Sequence, residues 1–325
     1  MAAQDLPKSF KLNSGYDIPS VGFGTWQSAP NEVERAVEVA LRAGYRHIDA
    51  AAIYQNEKEV GAGIKKSGVP RSEIFITSKL WNHKHRPEDI EPALEKTLSD
   101  LGVDYLDLYL IHWPVAFKSG DDPLPVDADG VFELEENNYI ETYKGVEKLL
   151  KTGKVRSIGV SNFTEKKLQK LLDATSVVPA VNQIEAHPYL QQTELFEFHK
   201  KHGIIIEAYS PLGNNLTNEP RTVDDPKVKE IADRVGISPA QALISWAVQR
   251  GQVVLPKSVT PARIEQNLKT VRLPDAEFEA LNALEKHKRY NFPKEWGVDI
   301  FEEVGDEYAR QAALEYGKQS KAASK

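Results

Sequence analysis

The chain has 325 residues, of which 41% are hydrophobic and 27% charged, and its formal net charge is −7. That balance argues against nucleic acid as a main partner, although a local basic pocket could still hold an anion. Cysteine is absent, which excludes a disulfide scaffold, a thiol nucleophile and a thiolate metal site.

A chain of this size buries a large core without metal or disulfide support. Its composition does not shift along its length, and a single domain over residues 1–325 is expected. There is no N-terminal signal run and no apolar stretch of about 18 residues, so the expected location is the cytoplasm, with no membrane partner. Asn162-Phe163-Thr164 and Asn215-Leu216-Thr217 match the glycosylation pattern, which means little without secretion.

In chain order, residues 10–12 and 16–18 flank Asn13-Ser14-Gly15 and predict a hairpin with a glycine turn. A strand at 21–23 precedes a helix at 30–43, whose Val33, Ala36, Val37 and Ala40 recur on one face and which Gly44 ends. Further strands are predicted at 45–48, 74–78, 105–111, 155–160, 180–184, 204–209 and 253–256. Helices lie between them, for example at 87–101, 139–151, 166–174 and 192–202. Eight such units, several with near-continuous Val/Ile/Leu strands, predict an α/β fold: a (β/α)₈ TIM barrel with an N-terminal β-hairpin. A doubly wound sheet is the rival. Its G-x-G-x-x-G fingerprint is missing, because Gly61-Ala62-Gly63 falls inside a helix and lacks the third glycine. Residues 115–138, 213–225 and the run after His287 break the rhythm and predict long functional loops at the C-terminal face. Residues 316–325 read as a disordered tail.

In such a barrel the chemistry sits at the C-terminal strand ends. Those ends carry Asp49 and then Tyr54, Lys79-Leu80-Trp81, His112-Trp113-Pro114, Ser161-Asn162, Gln183 and Glu185, Tyr209-Ser210-Pro211, and Lys257-Ser258. Asp49, Tyr54, Lys79 and His112 make chemical sense together. A phenol is a poor acid, with an ordinary pKa of about 10. A nearby ammonium favours the phenolate, a carboxylate holds the ammonium, and a histidine orients a carbonyl. Such a set protonates an oxygen while a hydride arrives at carbon. A lone strand-end Asp or His is more often a helix cap or a satisfied polar group, and it is the joint placement of the four that points to a site. Trp26, Trp81 and Trp113 would wall an apolar substrate pocket or pack the barrel rim. His83 and His85 lack a third ligand and read as a solvated loop. Asp127-Ala128-Asp129-Gly130 has its glycine misplaced for a calcium loop, so no metal is expected.

At these positions the sequence resembles the aldo-keto reductase superfamily, from about Phe10 to about Phe301. The matches are residues 44–54, Ile76-Thr77-Ser78-Lys79-Leu80-Trp81, residues 107–114, Val160-Ser161-Asn162-Phe163 and Leu255-Pro256-Lys257-Ser258-Val259-Thr260. The resemblance implies NADPH-dependent reduction of aldehydes or ketones by a tetrad of Asp49, Tyr54, Lys79 and His112, with Tyr54 as the acid. It implies a nicotinamide stacked on Tyr209, with its carboxamide near Ser161, Asn162 and Gln183. Ser210, Pro211, Leu212 and Asn214 would follow the pyrophosphate. Lys257, Ser258, Val259, Thr260 and Arg263 would hold the adenosine phosphate, and Gln266 and Asn267 the adenine. Gly24, Thr25, Trp26 and Asp49 complete the implied cofactor contacts, and Trp26, Tyr54, Trp81, His112 and Trp113 the substrate contacts. Gln266 stands where many members carry glutamate, and can still accept from an adenine amino group. The run at residues 289–301 is similar to that of fungal members that are glycerol dehydrogenases or glyceraldehyde reductases, which implies small hydroxyaldehydes, and reversibly glycerol, as candidate substrates. A monomer is expected. A non-catalytic NADP(H)-binding barrel is the alternative from another class, and a barrel hydrolase or lyase a third. The full tetrad argues against the one and the Lys257–Asn267 segment against the other.

Overall fold

The computed structural model describes residues 5–29, 31–136, 138–216 and 219–323. The predicted hairpin comes first, as antiparallel strands β1 (Ser9–Lys11) and β2 (Asp17–Pro19), with Phe10 opposite Ile18. The apolar runs then become eight parallel strands. These are β3 (Phe23–Gly24), β4 (His47–Asp49), β5 (Phe75–Leu80), β6 (Leu106–Ile111), β7 (Val155–Ser161), β8 (Val181–Glu185), β9 (Ile205–Tyr209) and β10 (Val253–Val254). Each pairs with its neighbour in sequence. The sheet closes where Val21 bridges Val254 in parallel, with Gly22 N donating to Val254 O and Val254 N to Ser20 O, both at 2.9 Å. Only glycine fits at position 22, because a Cβ there would lie 2.6 Å from Leu255 Cδ2 and 2.7 Å from His47 Nδ1.

Helices wrap the outside. α1 (Val33–Ala43) buries Val33, Ala36, Val37, Ala40 and Leu41, the face its periodicity predicts, and stops at Gly44 with φ 114°. It starts later than predicted, and Pro30 of the predicted start lies outside the described residues. α2 (Glu57–Ser67) holds Gly61 and Gly63 for close packing. A Cβ on Gly61 would meet Leu101 O at 2.3 Å, and one on Gly63 would meet Glu34 O at 2.4 Å. α3 (Pro87–Leu101), α4 (Tyr139–Leu149), α5 (Glu165–Ala174) and α6 (Thr193–His202) follow the predicted segments closely. Two helices, α7 (Pro226–Val235) and α8 (Pro239–Gln249), separate β9 from β10. α8 is buried at every residue from Gln241 to Val248, so it has no polar face to reveal a period. Its start is a capping box between Ser238 and Gln241. α9 (Pro261–Asn267), α10 (Asp275–Asn282) and α11 (Asp306–Ala323) close the chain.

The bottom of the barrel is plugged by the hairpin. Leu12 and Ile18 pack on Phe75, Leu108, Leu110, Val181 and Val253, and each fully buried aliphatic side chain contributes about 1.5–3 kcal/mol. The predicted disordered tail is instead helical through Ala323. Ala309 and Ala313 are buried, and a Cβ on Gly317 would sit 2.6 Å from Asp129 O. Gly317 lets the helix backbone lie against the 127–130 turn, and Ala313 packs beside Gly297. Such small residues carry little of the large-apolar signal by which helices are usually recognised.

Candidate active site

The tetrad converges at the top of the barrel. Asp49 ends β4, Tyr54 closes a 3₁₀ turn (Ala52–Tyr54), Lys79 lies in β5, and His112 follows β6. Lys79 is fully buried, and its Nζ donates to Asp49 Oδ1 (2.8 Å), Asp49 Oδ2 (2.9 Å) and Ala50 O (2.9 Å). Tyr54 Oη lies 3.4 Å from the same nitrogen. Burial alone would strip the charge from this lysine. The two-point contact with Asp49 and the nearby Tyr54 outweigh it and hold the ammonium well above its ordinary range. The Tyr54 phenol moves the other way from the simple charge argument. Burial pushes it up to about 12, and Lys79 offsets only part of the rise. His112 is buried too, and desolvation, aided by Lys79 and His85, holds it well below its ordinary range, so the ring is neutral. The Tyr54 and His112 rings meet edge to face at 5.9 Å.

These residues open into a cavity of about 760 Å³. Trp26, Trp81 and Trp113 line it, as do Gly24, Asp49, Ser161, Asn162, Gln183, Tyr209, Ser210, Pro211, Leu212, Asn214 and Lys257. Sequence distances of more than 200 residues thus collapse into one space. Several of these groups are tied together: Ser161 Oγ donates to Gln183 O (2.9 Å), Asn162 Nδ2 to His112 O (3.0 Å), and Tyr209 Oη to Asn162 Oδ1 (2.7 Å). Gln27, Gln55, Asn162 and Ser210, each in a loop above a barrel strand, all adopt left-handed backbone, with φ between 48° and 64°. Such strain gathers at functional loops.

Other expected residues stand apart from the cavity. Thr25 is buried beneath it, donating to Asp49 O (2.8 Å) and accepting from Asn56 Nδ2 (3.0 Å). Ser258, Val259, Thr260, Arg263, Gln266 and Asn267 do not line it. Val259, Thr260, Arg263 and Gln266 are exposed beyond Lys257, and Asn267 is buried in α9. Glu185 is not in the wall either but anchors it from behind. His85 is not a solvated loop residue. It is buried with both ring nitrogens unpartnered, and desolvation lowers it to about 3. Asp127 Oδ1 accepts from the backbone N–H groups of Asp129 (2.7 Å) and Val131 (3.0 Å), which makes that motif a turn.

One part of the site was read in the sequence only as a functional loop and a stretch similar to fungal members, with none of its residues assigned to the site. Tyr290, Asn291, Phe292, Pro293 and Trp296 line the cavity from the segment after His287. Trp296 meets Trp113 and Phe117 at 5.1 Å and Trp81 at 5.8 Å, all edge to face. Its break from the βα rhythm marked it as a loop, and its aromatic and proline content was the only local sign of a cavity wall.

A closed parallel barrel with a buried lysine, carboxylate and imidazole and a half-buried phenol at its upper mouth defines a barrel oxidoreductase. Residues 20–286 match the aldo/keto reductase family. The D/L-glyceraldehyde reductase of Hypocrea jecorina is 48% identical across 94% of this chain and 98% of its own. Human aldo-keto reductase family 1 member A1 is 48% identical across 87% and 90%. The solved aldose reductase of Schistosoma japonicum superposes with a TM-score of 0.85 at 41% identity, covering 92% of this chain and 100% of that one. The chain belongs to the aldo-keto reductase family, whose members generally use NAD(P)H. Among the described residues no helix is long and apolar enough to cross a membrane.

Proposed function

We propose that the chain reduces aldehydes and ketones to alcohols with NADPH, Tyr54 being the general acid, and that small hydroxyaldehydes such as glyceraldehyde are among its substrates. The observation that carries this reading is the buried Lys79 Nζ, bound twice by Asp49 and 3.4 Å from the Tyr54 hydroxyl in a cavity shared with His112. The residues present fit a dinucleotide. The cavity runs from the tetrad past the Tyr209 ring to Lys257, and Asn214 Nδ2 is buried along it without a protein partner.

A bound nicotinamide supplies the hydride that reaches the carbonyl carbon. Tyr54 gives its proton to the carbonyl oxygen, so that C=O becomes CH–OH. The phenolate left behind is half-buried at the cavity floor, and Lys79 compensates its charge. Asp49 keeps Lys79 charged and aimed. Neutral His112 has a single N–H, which orients the carbonyl oxygen without competing as an acid. The same groups run backwards as an oxidation of glycerol, with the Tyr54 phenolate as base. Lys257 and Arg263 are assigned to the phosphate that distinguishes NADPH from NADH. The name of the Hypocrea relative supports the hydroxyaldehyde reading.

Two additions test this in one cuvette. NADPH should quench tryptophan fluorescence, since Trp26, Trp81, Trp113 and Trp296 line the cavity. Glyceraldehyde should then bleach the reduced-nicotinamide absorbance. Binding without bleaching across a panel of aldehydes would leave a non-catalytic cofactor-binding barrel, and no binding would remove the redox reading altogether.

A further inference from the structure

Glu207 lies at the centre of β9, fully buried and outside the cavity wall. It stands in register with Gln183 on β8. Its Oε2 accepts from Gln183 Nε2 at 2.9 Å, and the same nitrogen donates to Asp49 Oδ1, also at 2.9 Å. Its Oε1 lies 3.1 Å from His47 Nε2, and His47 is itself set between Thr77 Oγ1 (3.2 Å) and Pro19 O (3.4 Å). Oε1 therefore sits against the His47 ring without a hydrogen bond of its own, and Oε2 is spent on Gln183.

A primary amide has two N–H donors and one carbonyl acceptor, and an ionised carboxylate only accepts. Both N–H groups of Gln183 end on carboxylates. Turned over, the amide would set its own oxygen against Asp49 and Glu207, acceptors facing acceptors. With one carboxylate the amide could pivot about a single hydrogen bond, whereas two fix its plane. What remains for the cavity that Gln183 lines is its carbonyl oxygen.

We propose that Glu207 is a positioning residue: by taking the second amide proton of Gln183 it fixes that side chain with its carbonyl oxygen toward the cofactor, so the site selects a ring substituent that donates a hydrogen bond there. The proposal rests on the reading that a nicotinamide carboxamide lies beside Gln183. Glu207 touches neither substrate nor cofactor and acts only through Gln183.

The test is binding of two cofactors by fluorescence titration: NADP⁺, and its 3-acetylpyridine analogue, in which a methyl ketone replaces the carboxamide and no N–H is left. The wild type should bind NADP⁺ roughly tenfold more tightly, the worth of about one hydrogen bond. Glu207→Met keeps length and apolar fit but removes the acceptor, and should cut the preference to below about threefold. Glu207→Gln can still offer an oxygen to Gln183, and should retain the preference. Should the methionine variant not fold, Glu207→Thr, too short to reach Gln183, serves in its place. A full preference in the methionine or threonine variant overturns the proposal and leaves the proposed function intact. Equal loss in the glutamine variant also overturns it, because the effect would then belong to charge and not to the held amide. A wild type that binds both cofactors alike overturns the pose at Gln183 and the proposal with it.

Discussion

The floor and the wall of the cavity are built in different ways. The floor is made of strand ends: Asp49, Lys79 and Gln183 project from β4, β5 and β8 and bond to one another within 2.8–2.9 Å. The wall is made of rings, with Trp296 and Phe292 arriving from a segment more than a hundred residues beyond β8. One carboxylate joins the two. Glu185, at the end of β8, accepts from Tyr290 N (2.8 Å), Asn291 N (2.8 Å), Asn291 Nδ2 (3.0 Å) and His187 Nε2 (2.8 Å). Three of these bonds fasten the wall to the sheet that carries the floor. Charge is placed where the sheet is stiffest, and shape where a loop can vary.

Removing one member of the floor should have the largest effect. Lys79→Met leaves Asp49 buried without its partner, a loss of about 3–5 kcal/mol for a broken buried pair. Urea unfolding should show that drop together with loss of turnover. A variant as stable as the wild type would mean that the pair is not the keystone described above. A smaller effect is expected at the far end of the cavity, beyond both floor and wall. Arg263 is exposed on α9, and screening there leaves about 1.5–3 kcal/mol, or roughly 10- to 150-fold, for gripping a phosphate. Arg263→Ala should weaken NADPH binding by that factor and leave NADH binding nearly unchanged. Equal affinities of the wild type for the two cofactors would remove this assignment but not the reductase reading. The wall should give the smallest effect. Trp296→Leu removes a cavity-lining ring, and one edge-to-face contact offered to an aromatic substrate is worth about 0.5–1.5 kcal/mol, so KM for a large aromatic aldehyde should rise roughly three- to tenfold. Glyceraldehyde should be affected less, and kcat should hardly move for either. Equal changes for both substrates would make Trp296 a packing residue only.

The floor was legible in the sequence because a barrel strand delivers its last polar residue to one face, whichever fold neighbours it has. Asp49, Lys79 and His112 each follow an apolar run, and the predicted strands at 74–78 and 105–111 end within two residues of the observed ones. The wall was legible only in Trp26, Trp81 and Trp113, because nothing local to residues 290–296 shows that they fold back over the ends of β5 and β6. α8 hid for a related reason, since a helix buried all round has no face. Charge was legible but its balance was not. The sequence sets Lys79 beside Tyr54 and so suggests a strengthened acid, whereas burial, visible only in three dimensions, lifts the phenol to about 12. Glu207 reads as one residue of an ordinary strand until Gln183 and His47 are seen on either side of it.

The Tyr54→Phe variant tests the floor most directly, because it removes one oxygen and keeps the ring. If Tyr54 is the acid, kcat for glyceraldehyde should fall by at least about 10²–10⁴-fold, the usual worth of general acid catalysis, while the Kd for NADPH stays within about twofold. A variant that keeps more than about half of the wild-type kcat would show that the proton comes from elsewhere.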